Sequence, residues 1–191
     1  SDGVFRRASP VKYFDGAAVP SLGLAAFLAA SQQPVSLSLG KRWLQLGNHR
    51  LPVDRRGGVI LNFRGPIEVY QPVTAGAIIR SAWQIQKGEA PQVSPDAFRD
   101  CHVFFGFSAP GLMDVRATPV SRVTPGVFIH ATLLDNLLAQ DALRDVPGGW
   151  FALGLATLSL LAAGGALGAK KAWQHAVVFG AFPVLSALLA M

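Results

Sequence analysis

Cysteine is nearly missing from this 191-residue chain: Cys101 stands alone. A single thiol excludes an internal disulfide and any CxxC metal or redox site. At the head of an apolar run it reads as a small buried hydrophobe. Charge is also scarce, at 15% of residues where about 25% is usual for a soluble domain. The shortage is local, because residues 149–191 carry no formal charge except Lys170 and Lys171. Acidic residues number 11 against 17 lysines and arginines. That excess is spread along the chain without a basic run, so a nucleic-acid partner is not expected. There is no HExxH, GxSxG, P-loop or GxGxxG pattern, and neither catalysis nor a cofactor is read from the residues. Ser1 to Arg7 is polar and charged and carries no export signal, so a domain outside the cytoplasm would have been exported by a segment not in this sequence.

Long uncharged runs take the place of charge. Trp150 to Ala169 and Trp173 to Met191 are both apolar, and each comes close to the roughly 20 residues a helix needs to cross a bilayer. They predict a transmembrane hairpin over residues 149–169 and 173–191, with lipid as a partner. By the positive-inside rule the Lys170-Lys171 turn lies in the cytoplasm and residues 1–148 lie on the other side. Trp150 and Trp173 fall where interfacial anchors belong. Gly164 and Gly168 permit close helix approach, and Pro183 should kink the second helix.

The first 148 residues read as an α/β domain. Asp15-Gly16 is a turn signal, and Pro20-Ser21 opens a helix to about Ala30. Val35–Leu39 and Arg42–Leu46 form a hairpin across Gly40-Lys41, and His49–Val53 continues the β character. Asp54 to Gly58 is a turn. Val59–Phe63 reads as a strand buried on both faces. Glu68–Pro72 is extended or loop, Ala75–Gln86 is a helix, and Lys87–Pro95 is an exposed loop.

Residues 101–138 organise the rest. Cys101–Phe107 predicts a buried strand running into a loop that carries Ser108, Asp114, Arg116, Thr118, Ser121 and Arg122. Thr124 is placed as N-cap and Pro125 near N1 of a helix reaching Gln140. Such a loop, at the end of a buried strand, is where open α/β sheets place ligands. The candidate ligand or switch residues are Arg64, Ser108, Asp114, Thr118 and His130. His130 follows Val127 by three and precedes Leu134 by four, on the apolar stripe of its helix. It is either a hydrogen-bonded structural residue, with Asp114 or Thr118 as natural partner, or a pH-sensitive group in a cleft. A metal site would need further ligands, and none is evident. Arg64 either clamps a carboxylate ligand bidentately or pairs with an internal acid.

The residues Val103 to Gly106, Gly111-Leu112, Asp114, Thr118-Pro119, Pro125-Gly126-Val127, His130-Ala131 and Asn136-Leu137-Leu138 form an ordered series. Together with SDGVFRR at the start and GGVILNFRGP at 57–66, the series resembles CHASE2, an extracytoplasmic sensory domain of bacterial signalling proteins. Phe63 stands where the family has Tyr. The resemblance implies part of a CHASE2 fold, a mixed sheet with flanking helices. It also implies a sensory, non-catalytic role in the bacterial inner membrane, with the domain in the periplasm and a cyclase or kinase as effector elsewhere. The family's domain begins earlier, with an anchor helix and a first α/β half, so the chain is expected to be the later part of a longer protein or to have lost that half. The alternative is a membrane-anchored accessory subunit that reuses the fold. Implied partners are a small ligand, other membrane subunits or a second copy.

Overall fold

Asp15 and Gly16 both take left-handed backbone angles, with φ of 48° and 74°. That geometry matches the right-handed twist of flanking strands, and it closes a hairpin of β2 (Val11–Phe14) on β3 (Ala17–Pro20). The computed structural model describes residues 2–31, 35–40, 42–107, 114–145 and 148–168. Two units are seen, Ser1–Arg144 and Asp145–Met191.

In the first unit the class is α/β. The strands gather in small antiparallel sheets, and Val4 and Ala117 make a parallel bridge. β1 (Arg7–Ala8) pairs with β7 (Val59–Ile60). β4 (Leu37–Leu39), β5 (Trp43–Leu46) and β6 (His49–Pro52) form a meander; the hairpin across Gly40 and the β character of 49–53 were expected. Leu44 and Leu46 are fully buried while Trp43 and Gln45 are half-exposed, the period-two pattern of a sheet with one face on the core. β7 is shorter than the expected Val59–Phe63 strand, although Leu61 still donates its N–H to the Arg6 carbonyl at 3.0 Å.

Among the described residues this unit also has the α-helices α1 (Leu22–Ala30), α2 (Ala75–Gln86) and α3 (Gly126–Ala139). α2 has the expected bounds. Thr74 caps it by accepting from the Ala77 N–H. Ser81 Oγ accepts from the Val93 N–H at 2.9 Å, which ties the 87–95 loop back onto the helix. α1 lies against α3 so closely that a Cβ on Gly23 would stand 2.5 Å from the His130 carbonyl oxygen. Leu24 and Phe27 of α1, Leu133 and Leu137 of α3, and Leu44, Leu46 and Val59 from the strands make the core.

Several expectations fail. Residues 101–107 form no strand, and Cys101 is exposed rather than buried. Phe104 is half-buried against the core, and a Cβ on Gly106 would collide with the Val127 side chain, so the even-numbered side rests on α3. Val103, Phe105 and Phe107 are 60–75% exposed. A strand requires a paired backbone, and among the described residues none pairs with this segment. Of the two readings for 68–72, extended or loop, the extended one fails, because Ile67–Tyr70 is a 3-10 turn. Thr124 does not cap α3. It ends up in β9 (Ser121–Pro125), which pairs with β8 (Val115–Thr118), and Pro125 takes the N-cap place.

α4 (Gly148–Gly168) forms where the first transmembrane run was expected. By length and composition it is apolar enough to cross a membrane. The Lys170-Lys171 turn, the second apolar run and Pro183 lie outside the described residues.

Candidate functional site

The candidate residues fall into two groups. The first is built on Arg64, just past β7. Its guanidinium donates to Asp135 on α3 at 2.7 Å and also pairs with Asp141. Of the two readings open for Arg64, pairing with internal acids is the one observed. Beside it, the buried Asn136 side chain binds the Asn62 backbone at both ends. Asn136 Oδ1 accepts from the Asn62 N–H at 2.8 Å, and Asn136 Nδ2 donates to the Asn62 carbonyl at 3.0 Å. The amide thereby stands in for the neighbouring strand that Asn62 lacks. Asn62 Nδ2 donates in turn to Asp141 Oδ2 at 3.1 Å. The hydrogen bond from Arg64 holds the Asp141 carboxyl below its ordinary pKa, against a smaller opposing effect of burial.

This network continues into the stretch that leads to α4. Leu143 donates its N–H to the Ile60 carbonyl at 3.1 Å and bridges that residue, Ala142 packs on the core, and the Arg144 guanidinium lies 4.4 Å from the centre of the Trp43 ring. Residues 141–144 are therefore held to the domain at every position, by ion pair, packing, backbone bridge and cation–π contact. Asn62 and Asn136 stand in the motif stretches but were given no role from the sequence, and Asp141 was not singled out, because each acts on backbone or charge distant along the chain.

The second group surrounds a cleft of about 650 Å³. Asp114, Arg116 and His130 line it, together with Lys12, Ser21, Phe105 and Phe107. The Asp114 carbonyl accepts from the Gly126 N–H at 2.8 Å, and its carboxylate crowds Gly126 at the start of α3, where the helix dipole favours negative charge. The expected hydrogen bond from His130 to Asp114 or Thr118 is not observed. His130 Nδ1 is buried without a hydrogen-bond partner, and Thr118 is turned into the β8–β9 hairpin, 3.0 Å from the Thr124 hydroxyl. Thr118 is thus a buried structural residue and lies away from the cleft. Ser108 lies outside the described residues. Among those residues, no group of three or more His, Cys, Asp or Glu is placed to hold a metal ion.

Burial lowers the His130 pKa below its ordinary 6.5; Lys12 lowers it further, while Asp114 opposes both. A histidine harder to protonate when folded contributes stability above pH 6.5 that is lost as pH falls from 6.5 toward its lower folded pKa. His130→Gln is expected to flatten the decline in unfolding free energy between about pH 7 and pH 5. Denaturant titrations of both proteins across that range check it, and parallel curves would remove His130 as a titrating element.

The family model for the CHASE2 domain matches residues 1–166. The chain belongs to the CHASE2 domain family. CHASE2 domains are extracytoplasmic sensory domains. No curated protein and no solved structure gives a significant match. In this CHASE2 domain the motif residues divide by task. The asparagine and arginine of the NFRGP stretch meet Asp135 and Asn136 on α3, whereas Asp114 and His130 sit at the cleft.

Proposed function

We propose that the chain is the ligand- or partner-binding sensory part of a membrane-bound bacterial signalling protein, non-catalytic itself and displayed on the periplasmic side of the inner membrane by α4. The observation that carries this reading is the clamp on residues 141–144. Asp135 and Asn136 of α3 share with Asp141 the same two anchors, Asn62 and Arg64. A change in how α3 packs would therefore be delivered to the chain just before α4. A ligand produces such a change only by favouring one packing over another, and the cleft at the start of α3 is where it would act.

Arg64→Lys keeps the positive charge but gives up the fork that engages two carboxylates at once. In the full-length protein, in membranes, it is expected to shift the effector's basal output at least about threefold while the cleft residues stay in place. An output identical to wild type in a folded protein would overturn the coupling role of the clamp.

A second reading, the accessory subunit docked in a larger membrane complex, draws on bare apolar surface. Ile79 and Trp83 on α2, and Val103, Phe105 and Phe107, are each more than half exposed, and large apolar side chains left in water are what a docking partner would cover. Recovery of stoichiometric membrane partners with the full chain, lost on Trp83→Asp, would favour this reading.

A further inference from the structure

The cleft beside α3 combines features that the clamp does not use. Its rim carries two cations, Lys12 from the β2–β3 hairpin and Arg116 from β8. Neither makes an ion pair among the described residues, and the Arg116 guanidinium donates to the carbonyl of its own neighbour, Val115, at 3.4 Å. Asp114 is the one acid among the lining residues, and its carboxylate is set over the N-terminus of α3. Two polar atoms nearby are unsatisfied. Ser21 Oγ is buried without a hydrogen-bond partner, as is His130 Nδ1, and both residues line the cleft. Ser21 holds the N-cap position of α1 yet makes no capping hydrogen bond. A ligand that pairs such a buried polar group recovers the cost of leaving it without a partner. The opposite wall is apolar. Phe105 and Phe107 meet edge to face with ring centres 6.1 Å apart, and Val127, Val19 and Leu22 continue the surface.

We propose that this cleft binds a small organic carboxylate with an apolar body. Its charged end meets Lys12, Arg116 and the Ser21 hydroxyl, and its body rests on Phe105, Phe107 and Val127. The carboxylate is chosen over a larger polyanion because two cations face one acid, a balance that suits a single charge, and because the apolar wall needs a hydrophobic counterpart. The inference rests on the sensory reading above and supplies the ligand class for it. Arg116 belongs to the polar loop residues named from the sequence; Lys12 and Ser21 had no local signal, since the β2–β3 hairpin and the start of α1 bring them to the cleft.

The test uses the full chain in lipid nanodiscs with 4-fluorophenylacetate as probe, its binding read from the fluorine NMR line. Saturable binding is expected. The neutral isostere 4-fluorophenylacetamide should bind about tenfold more weakly, the effect of losing a charge-assisted hydrogen bond. Arg116→Gln and Lys12→Gln, both at exposed positions, should each weaken the acid by a similar factor. Arg99→Gln, whose partner is the nearby Asp96, should leave it unchanged. Equal binding of acid and amide, or acid binding that survives both cleft substitutions, would overturn the site. So would the absence of saturation at about 10 mM, where affinity is negligible. Failure here leaves the clamp test intact, and loss of the clamp's effect on output leaves this binding measurement standing.

Discussion

Asn136→Ala is expected to lower the unfolding free energy by about 3 kcal/mol. The side chain is fully buried, and its amide is the partner of both the N–H and the carbonyl of Asn62. Truncation leaves those two backbone groups without partners, each at a cost of about 1–3 kcal/mol, and opens a small cavity as well. Asn136→Leu restores volume but not hydrogen bonds, so it should recover little. Urea unfolding of the full chain in detergent, followed by tryptophan fluorescence, reads the change. A loss below about 1 kcal/mol would mean that Asn62 finds other partners and that the amide is dispensable.

Gly23→Ala sets two effects against each other. Replacing glycine by alanine in a helix is ordinarily worth nearly 1 kcal/mol in favour of alanine. Here the new methyl would stand 2.5 Å from the His130 carbonyl oxygen and 3.2 Å from Leu133 Cβ. The nearest obstacle is backbone and cannot rotate away, so α1 and α3 must separate. Overpacking of this kind costs about 1–3 kcal/mol and occasionally more. The expected net result is destabilisation by about 2 kcal/mol, together with weakened binding at the cleft, because Ser21 and His130 approach it from the two displaced helices. A stabilised variant would show that the α1–α3 contact is looser than described.

Where a local signal suffices, the sequence was legible. The Asp15-Gly16 turn, the Gly40 hairpin turn of the meander and the Ala75–Gln86 helix all depend on neighbours within a few residues, and each forms as expected. α3 was found by its apolar spacing, with its N-cap misplaced by one residue. Thr124 has the chemistry of a cap, but its hydroxyl is taken by Thr118 across the β8–β9 hairpin, a pairing that no window on either residue reveals. The segment 101–107 shows the reverse failure. Its composition is that of a strand, yet strand character is completed by a partner, and among the described residues it has α3 beneath one side and no paired neighbour. At the site, charge and hydrogen-bonding type singled out Arg64, Asp114 and His130, and the structure places Arg64 between two internal acids and the other two at the cleft. Which task each performs depended on residues 70 positions away or more for Arg64, and on the crossing of α1 with α3 for His130.

Cys101 allows the most direct test of the account, that this domain stands outside the membrane from which α4 extends. The thiol is exposed and is the only one in the sequence, so the peptide that carries it reports one location. Sealed right-side-out vesicles from cells making the protein would be treated with a membrane-impermeant maleimide, and the Cys101 peptide scored by mass spectrometry. The account predicts modification without permeabilisation, and in inverted vesicles modification only after detergent is added. Protection in right-side-out vesicles with ready labelling in inverted ones would place the domain in the cytoplasm and contradict the extracytoplasmic reading.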